Sequence, residues 1–237
     1  MIRMHIYYLL SALVLFPTAV SGHACLIHPP SRQWYAHTEG KSAGQQENER
    51  LGVPKPEYNQ YGYQAGGYTW GPCGMLRAGD TEKDYTNNYV DAFGNDVPWK
   101  TQATYEENGL IEIETHITAN HRGHYEFRVC MNVHNPTQEC FDKNLLTFVE
   151  DVYEGEEAVH DPNYPERGYT NPNAEYVKHK YMLPPGISGD QVLLQWQWIS
   201  TLGCAPRGYD EVEWPESWNM GTWWGNLCDL KVRIDHT

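Results

Sequence analysis

The chain is expected to be all-β, an immunoglobulin-like or fibronectin-like β-sandwich with long loop insertions. Several short segments alternate apolar and polar side chains with the two-residue period of a strand. Connections rich in Gly and Pro separate them. No Ser/Gly-rich linker and no internal repeat divides the sequence, so residues 23–237 are expected to form one domain.

Residues 1–22 have the layout of a secretory signal: Arg3, an apolar run from Ile6 to Phe16, Pro17, and the small-residue ending Val20-Ser21-Gly22. That run falls short of the roughly 20 residues a membrane-crossing helix needs. No later segment is apolar enough to span a bilayer, so the mature protein is expected to be a soluble, secreted monomer. A cut after Gly22 makes His23 the first residue, with a free α-amine beside its imidazole. Cuts after Ser21 or Ala19 are the alternatives.

The strands follow in order. Residues 109–121, GLIEIETHITANH, place Ile111, Ile113, Thr115, Ile117, Ala119 and His121 on one face and Glu112, Glu114, His116 and Asn120 on the other. After the Arg122-Gly123 break, HYEFRVC over 124–130 aligns Tyr125, Phe127 and Val129. QVLLQWQWIS over 191–200 and CDLKVRI over 228–234 are two further strands. Trp196 and Trp198 share a strand face and are assigned to the core. Residues 33–100, rich in Gly, Tyr, Asn, Gln and charge, are expected to be a long loop region with one or two helical turns. Its aromatics, including Trp34, Tyr35, Tyr58, Tyr61, Tyr63, Tyr68 and Trp70, argue against disorder.

All six cysteines, Cys25, Cys73, Cys130, Cys140, Cys204 and Cys228, lie beyond the signal, and an even count in an exported chain implies three disulfides. The expected pairs are Cys130 with Cys140, Cys204 with Cys228, and Cys25 with Cys73. Once Arg3 leaves with the signal, 16 Lys and Arg face 31 Asp and Glu. The resulting negative charge disfavours nucleic acid and anionic membranes and leaves a neutral partner as the expectation.

An N-terminal His23 would offer its amine and Nδ1 to one metal, and a second histidine would complete three nitrogens in a T. Planar nitrogen coordination of this kind favours copper(II). His121, at the end of a strong strand, is the candidate for that second histidine. His28, His37, His116, His134, His160, His179 and His236 are assigned to surfaces or loops, and the acidic run Glu154 to Glu157 to a solvated loop.

HACLIHPPSR resembles the opening of the mature lytic polysaccharide monooxygenases, with Pro29, Pro30 and Arg32 where theirs stand. ITANHRGHYEFRVC resembles their second copper-ligand segment, which puts the ligand at His121 and not at His124. LLQWQWIS and the final TWWGNLCDLKVRI resemble the remaining strands of the chitin-binding type-4 domain, closest to auxiliary activity family fifteen. Two departures stand out. Ala24-Cys25 follows the first histidine where Gly is usual, and the run from Cys73 to Asp80 lacks a second cysteine, an exchange that Cys25 would compensate. The position axial to the metal, usually Tyr or Phe, falls on Trp224, with Trp223 the alternative.

The resemblance implies a copper-dependent oxidoreductase over 23–237, holding one copper ion per chain. It would cleave glycosidic bonds of insoluble chitin or cellulose oxidatively, using O2 or H2O2 and an external electron donor. His23 and His121 would hold the metal, and His124 and Gln195 would hydrogen-bond beside it. The aromatic loop after Arg32 would offer stacking surface to sugar rings. The other readings of such a chain are a non-catalytic polysaccharide-binding protein or a copper-binding protein on the same fold.

Overall fold

Alternation along the strands becomes a two-layer arrangement in the computed structural model, which describes residues 23–31, 75–78, 81–84, 101–152, 158–199, 201, 205–218, 220 and 235–236. In chain order the elements are β1 (His23–His28), β2 (Met75–Ala78), β3 (Thr81–Asp84), β4 (Leu110–Ala119), β5 (His124–Cys130), α1 (Gln138–Asp142) and β6 (Thr147–Asp151). They continue with β7 (Gly168–Tyr169), β8 (Tyr176–Met182), β9 (Leu193–Ile199) and β10 (Asp235–His236). One sheet has the order β1-β4-β8-β6 and the other β10-β9-β5-β7, with every pairing antiparallel, while β2 and β3 pair separately. The all-β sandwich read from the sequence is the fold.

The core lies between the sheets. Ala24, Leu26, Ile111, Ile113, Ile117, Val177 and Tyr181 from one sheet meet Tyr125, Phe127, Val129, Trp196 and Trp198 from the other. The face read for Ile111, Ile113, Thr115 and Ile117 is the buried one, and Trp196 and Trp198 are wholly buried. Each large apolar side chain removed from water in this way contributes about 1.5–3 kcal/mol. Two hydrogen bonds join polar groups in the core: Thr115 Oγ1 donates to Tyr125 Oη at 3.0 Å, and Tyr181 Oη donates to the Tyr125 carbonyl at 3.4 Å.

Several expectations are corrected. β4 stops at Ala119, before the His121 that the alternation had included, and β9 runs over Leu193–Ile199. His179 is buried, not on the surface: it lies on the inward face of β8 between Val177 and Tyr181, with its Nε2 3.5 Å from Asp151. Cys130 and Cys140 form the expected disulfide, which ties the end of β5 to α1. Residues 1–22, Trp34 to Trp70, Glu154 to Glu157, Trp223, Trp224, the strand over 228–234, and Cys73, Cys204 and Cys228 with their pairings lie outside the described residues.

Candidate metal centre

Strand register decides which ends of the chain meet. β1 runs antiparallel to β4 with His23 opposite Ala119 and Ala24 opposite Ile117, so the register slips by one residue between them. Irregularities of this kind bend a strand and re-aim side chains, and they concentrate beside functional sites. The backbone of His23 is thereby placed at the strand end from which the chain continues, two residues on, to His121. The four residues Asn120 to Gly123 then cross from β4 in one sheet to β5 in the other, which puts His121 at the rim of the sandwich.

This crossing is tight and heavily tied. Arg122 has φ 60° and Gly123 φ 108°, both in the left-handed region, which costs a side-chain-bearing residue such as Arg122 about 1–2 kcal/mol. Asn120 holds the entrance: its Nδ2 donates to the carbonyls of Asn171 and Ala174, each at 2.9 Å, and its Oδ1 accepts from the Arg122 N–H at 2.7 Å. The next three carbonyls are each met from another segment. The carbonyl of His121 accepts from the N–H and the hydroxyl of Thr201, both at 3.1 Å. The carbonyl of Arg122 accepts from Trp198 Nε1 at 2.8 Å, and that of Gly123 from the N–H and hydroxyl of Thr170 at 3.0 and 3.1 Å. Sequence reasoning found the break at Arg122-Gly123 but none of these anchors. An Asn just before a left-handed turn is the local signal that could have found Asn120, which the sequence reading placed only on the outer face of the strand.

His124 follows the turn, yet its ring serves another purpose. On β5 it shares a face with Glu126 and Arg128, opposite the core-facing Tyr125, Phe127 and Val129. Its Nδ1 lies 2.5 Å from Tyr209 Oη and its Nε2 3.1 Å from Glu126 Oε1. Burial pushes the ring's pKa down against the hydrogen bond and charge of Glu126, and Arg167 and Arg128 add to the lowering. Burial works in the opposite sense on Glu126, but the hydrogen bond from His124 and the guanidinium of Arg128 overcome it and hold the carboxyl far below its ordinary range. A neutral ring beside a carboxylate must donate through Nε2, so its Nδ1 accepts from the Tyr209 hydroxyl, which burial keeps protonated. Both nitrogens of His124 are committed, and the structure does not add it to the His23 and His121 pair.

Gln195 sits further along the same face, opposite Arg128, and is completely buried. Its side-chain amide exchanges two hydrogen bonds, of 3.0 and 3.2 Å, with that of Gln138 in α1. Gln197, its neighbour on that face, accepts from Arg128 at 2.5 Å. Gln195 therefore belongs to the end of the sheet covered by α1, away from the turn that carries His121. A second apolar cluster of Val159, Tyr169, Ala205, Tyr209, Trp218 and Met220 closes the other end of this face, and Arg122 reaches its Met220 carbonyl at 3.3 Å.

Among the described residues no group of three or more His, Cys, Asp and Glu side chains could hold a metal ion. A metal at this rim would draw on two histidines and a backbone amine, a nitrogen donor set that suits copper. The residues at the rim fit that demand: one histidine begins the first strand and the other sits on a turn whose backbone is fixed from both sheets.

The sequence and structure can be set beside known proteins. No curated protein matches the chain. A lytic polysaccharide monooxygenase AA15 from Thermobia domestica, solved in the Cu(I) state, is 24% identical, with 76% of this chain and 84% of that one covered, at a TM-score of 0.45. The family described as lytic polysaccharide mono-oxygenase, cellulose-degrading, matches residues 23–217, a span that opens on His23 and takes in every strand from β1 to β9. The chain belongs to the lytic polysaccharide mono-oxygenase family, whose members carry out copper-dependent oxidation of polysaccharides.

Proposed function

We propose that the protein is secreted, is cut after Gly22, and acts on chitin or cellulose as a copper-dependent monooxygenase through His23 and His121. The register of β1 on β4 carries this reading, since it sets the backbone of His23 opposite Ala119 at the end from which His121 follows. The start of the family match at His23 supports the cut.

The α-amine and imidazole of His23 and the imidazole of His121 would hold one copper ion, with Trp224, by the family resemblance, the residue beside it. Copper bound there would supply the redox chemistry, with an external donor as the source of electrons and O2 or H2O2 as the oxidant of a carbon of the glycosidic bond. The protein's own part is positional. Asn120, Thr170, Trp198 and Thr201 immobilise the turn that carries His121, which supports a backbone held ready for a ligand there. His124 and Gln195 contribute as framework, holding β5 to the Tyr209 segment and β9 to α1.

Protein processed to begin at His23, given one equivalent of copper and a reductant, should release oligosaccharides from chitin or cellulose. Their masses should differ from the hydrolytic series by the signature of an aldonic acid, lactone or ketone. The His121→Ala variant should release none. Only hydrolytic masses, or none from either polymer, would reject the proposed activity on these substrates.

A further inference from the structure

We infer that Thr201 is a positioning residue for His121, setting the geometry of the metal site through the backbone; this rests on the reading of His121 as a copper ligand. Thr201 is completely buried, and its N–H and hydroxyl converge on one atom, the His121 carbonyl oxygen, at 3.1 Å each. A single backbone hydrogen bond would join the two segments. The second, from Oγ1, occupies the remaining lone pair of the same oxygen and fixes the plane of the peptide that follows His121.

The placement of Thr201 gives that bond its leverage. It stands two residues beyond the end of β9, in the sheet opposite the one that contains β1. β4 ties the approach to His121 to the sheet holding His23, and Thr201 ties His121 itself to the other sheet. The spacing of the two histidines is therefore set where the sheets are pinned together, and Thr201 pins the ligand residue itself, through its N–H and its hydroxyl. Within the turn the Arg122 N–H donates to Asn120 Oδ1, while Arg122 and Gly123 are both left-handed and the carbonyls of His121, Arg122 and Gly123 are held from outside it. A β-branched side chain is well suited to such a pin, since its methyl restricts the χ1 rotamers open to the hydroxyl. Partners one step removed from a metal ligand typically change affinity by about 10- to 100-fold when lost.

The test uses the full processed chain beginning at His23, with copper affinity read by calorimetric titration and ligand geometry by the electron paramagnetic resonance spectrum of the copper(II) protein. Thr201→Val, which keeps the shape and loses the hydroxyl, should weaken copper binding about 10-fold and shift the copper hyperfine coupling. Thr201→Ala should do the same as a second hydroxyl-free variant, and Thr201→Ser should restore both readouts toward the parent. A purely structural hydroxyl would lower the melting temperature and leave affinity and spectrum as they were, which overturns the inference. His121→Ala separates the ligand assignment from the role of Thr201. If the parent protein gives no nitrogen-ligated copper spectrum, or His121→Ala preserves it, the ligand assignment falls and the inference with it. If His121→Ala abolishes the spectrum while both hydroxyl-free variants retain it, the inference alone falls.

Discussion

Glu126 is an ionised, largely buried carboxylate, and two groups make that tolerable, the His124 ring and the guanidinium of Arg128, which Gln197 as acceptor and Asp142 as ion-pair partner keep in place. Arg128→Met would leave that charge buried without its counterion, and breaking such a pair costs about 3–5 kcal/mol. Urea unfolding should show a loss of that size, and the Arg128→Met, Glu126→Gln double variant should lose less than the two single changes added together. Acidity should act through the same residues. The folded His124 has a lowered pKa, so as pH falls through about 6.5 the unfolded chain takes up a proton that the folded one refuses. Glu126 behaves likewise below the unfolded glutamate value near 4.3, and both therefore destabilise the fold on acidification. His124→Gln should be less stable at neutral pH, but its melting temperature should fall less steeply than the parent's between about pH 7 and 5. At this scale the sequence was legible where chemistry is local. His121 stood at the end of an alternating run, whereas Thr201 and Trp198, 80 and 76 residues from their acceptors, carry no mark in their own neighbourhoods.

Strands that alternate cleanly were readable as elements: β5 was found to the residue, and β4 and β9 to within two at each end. β8 also alternates, with Val177, His179 and Tyr181 inward, but the inward histidine and the lysines between disguise it as a charged loop. The two-residue β7 has no period to read. Packing explains it instead, because a Cβ on Gly168 would lie 2.2 Å from Tyr181 Oη and 2.6 Å from His179 Nδ1. Both groups belong to the buried face of β8 and have little room to yield. Gly168→Ala should thus destabilise the fold by about 1–3 kcal/mol, as overpacking does, measured by chemical denaturation. At the opposite end of β5 the Cys130–Cys140 disulfide closes a short loop onto α1. Replacing both cysteines by serine should cost about 2–3 kcal/mol. Copper affinity should not change, because Cys130 ends the strand that His124 begins. Weaker copper binding in that variant would show that the two ends of β5 are mechanically coupled.

Across the whole molecule the dominant physical fact is charge, with 17 Lys and Arg against 31 Asp and Glu in the full sequence. On the proposed reading, net negative charge favours a solid polymer that carries none, and chitin and cellulose both qualify. The two substrate classes should separate by salt. At about 10 mM ionic strength charges interact over about 30 Å, and near 1 M over only about 3 Å. Adsorption to chitin or cellulose, driven by ring stacking and hydrogen bonds, should change little between those limits in a depletion assay. Adsorption to a carboxylated polymer such as polygalacturonate should be weak at the lower limit and rise with salt as the repulsion is screened. The reverse order, with adsorption to chitin or cellulose abolished by salt, would mean that the few cations are gathered on the binding face. The substrate expectation would then move to acidic polysaccharides, because a local positive face, not the net charge, would be choosing the polymer.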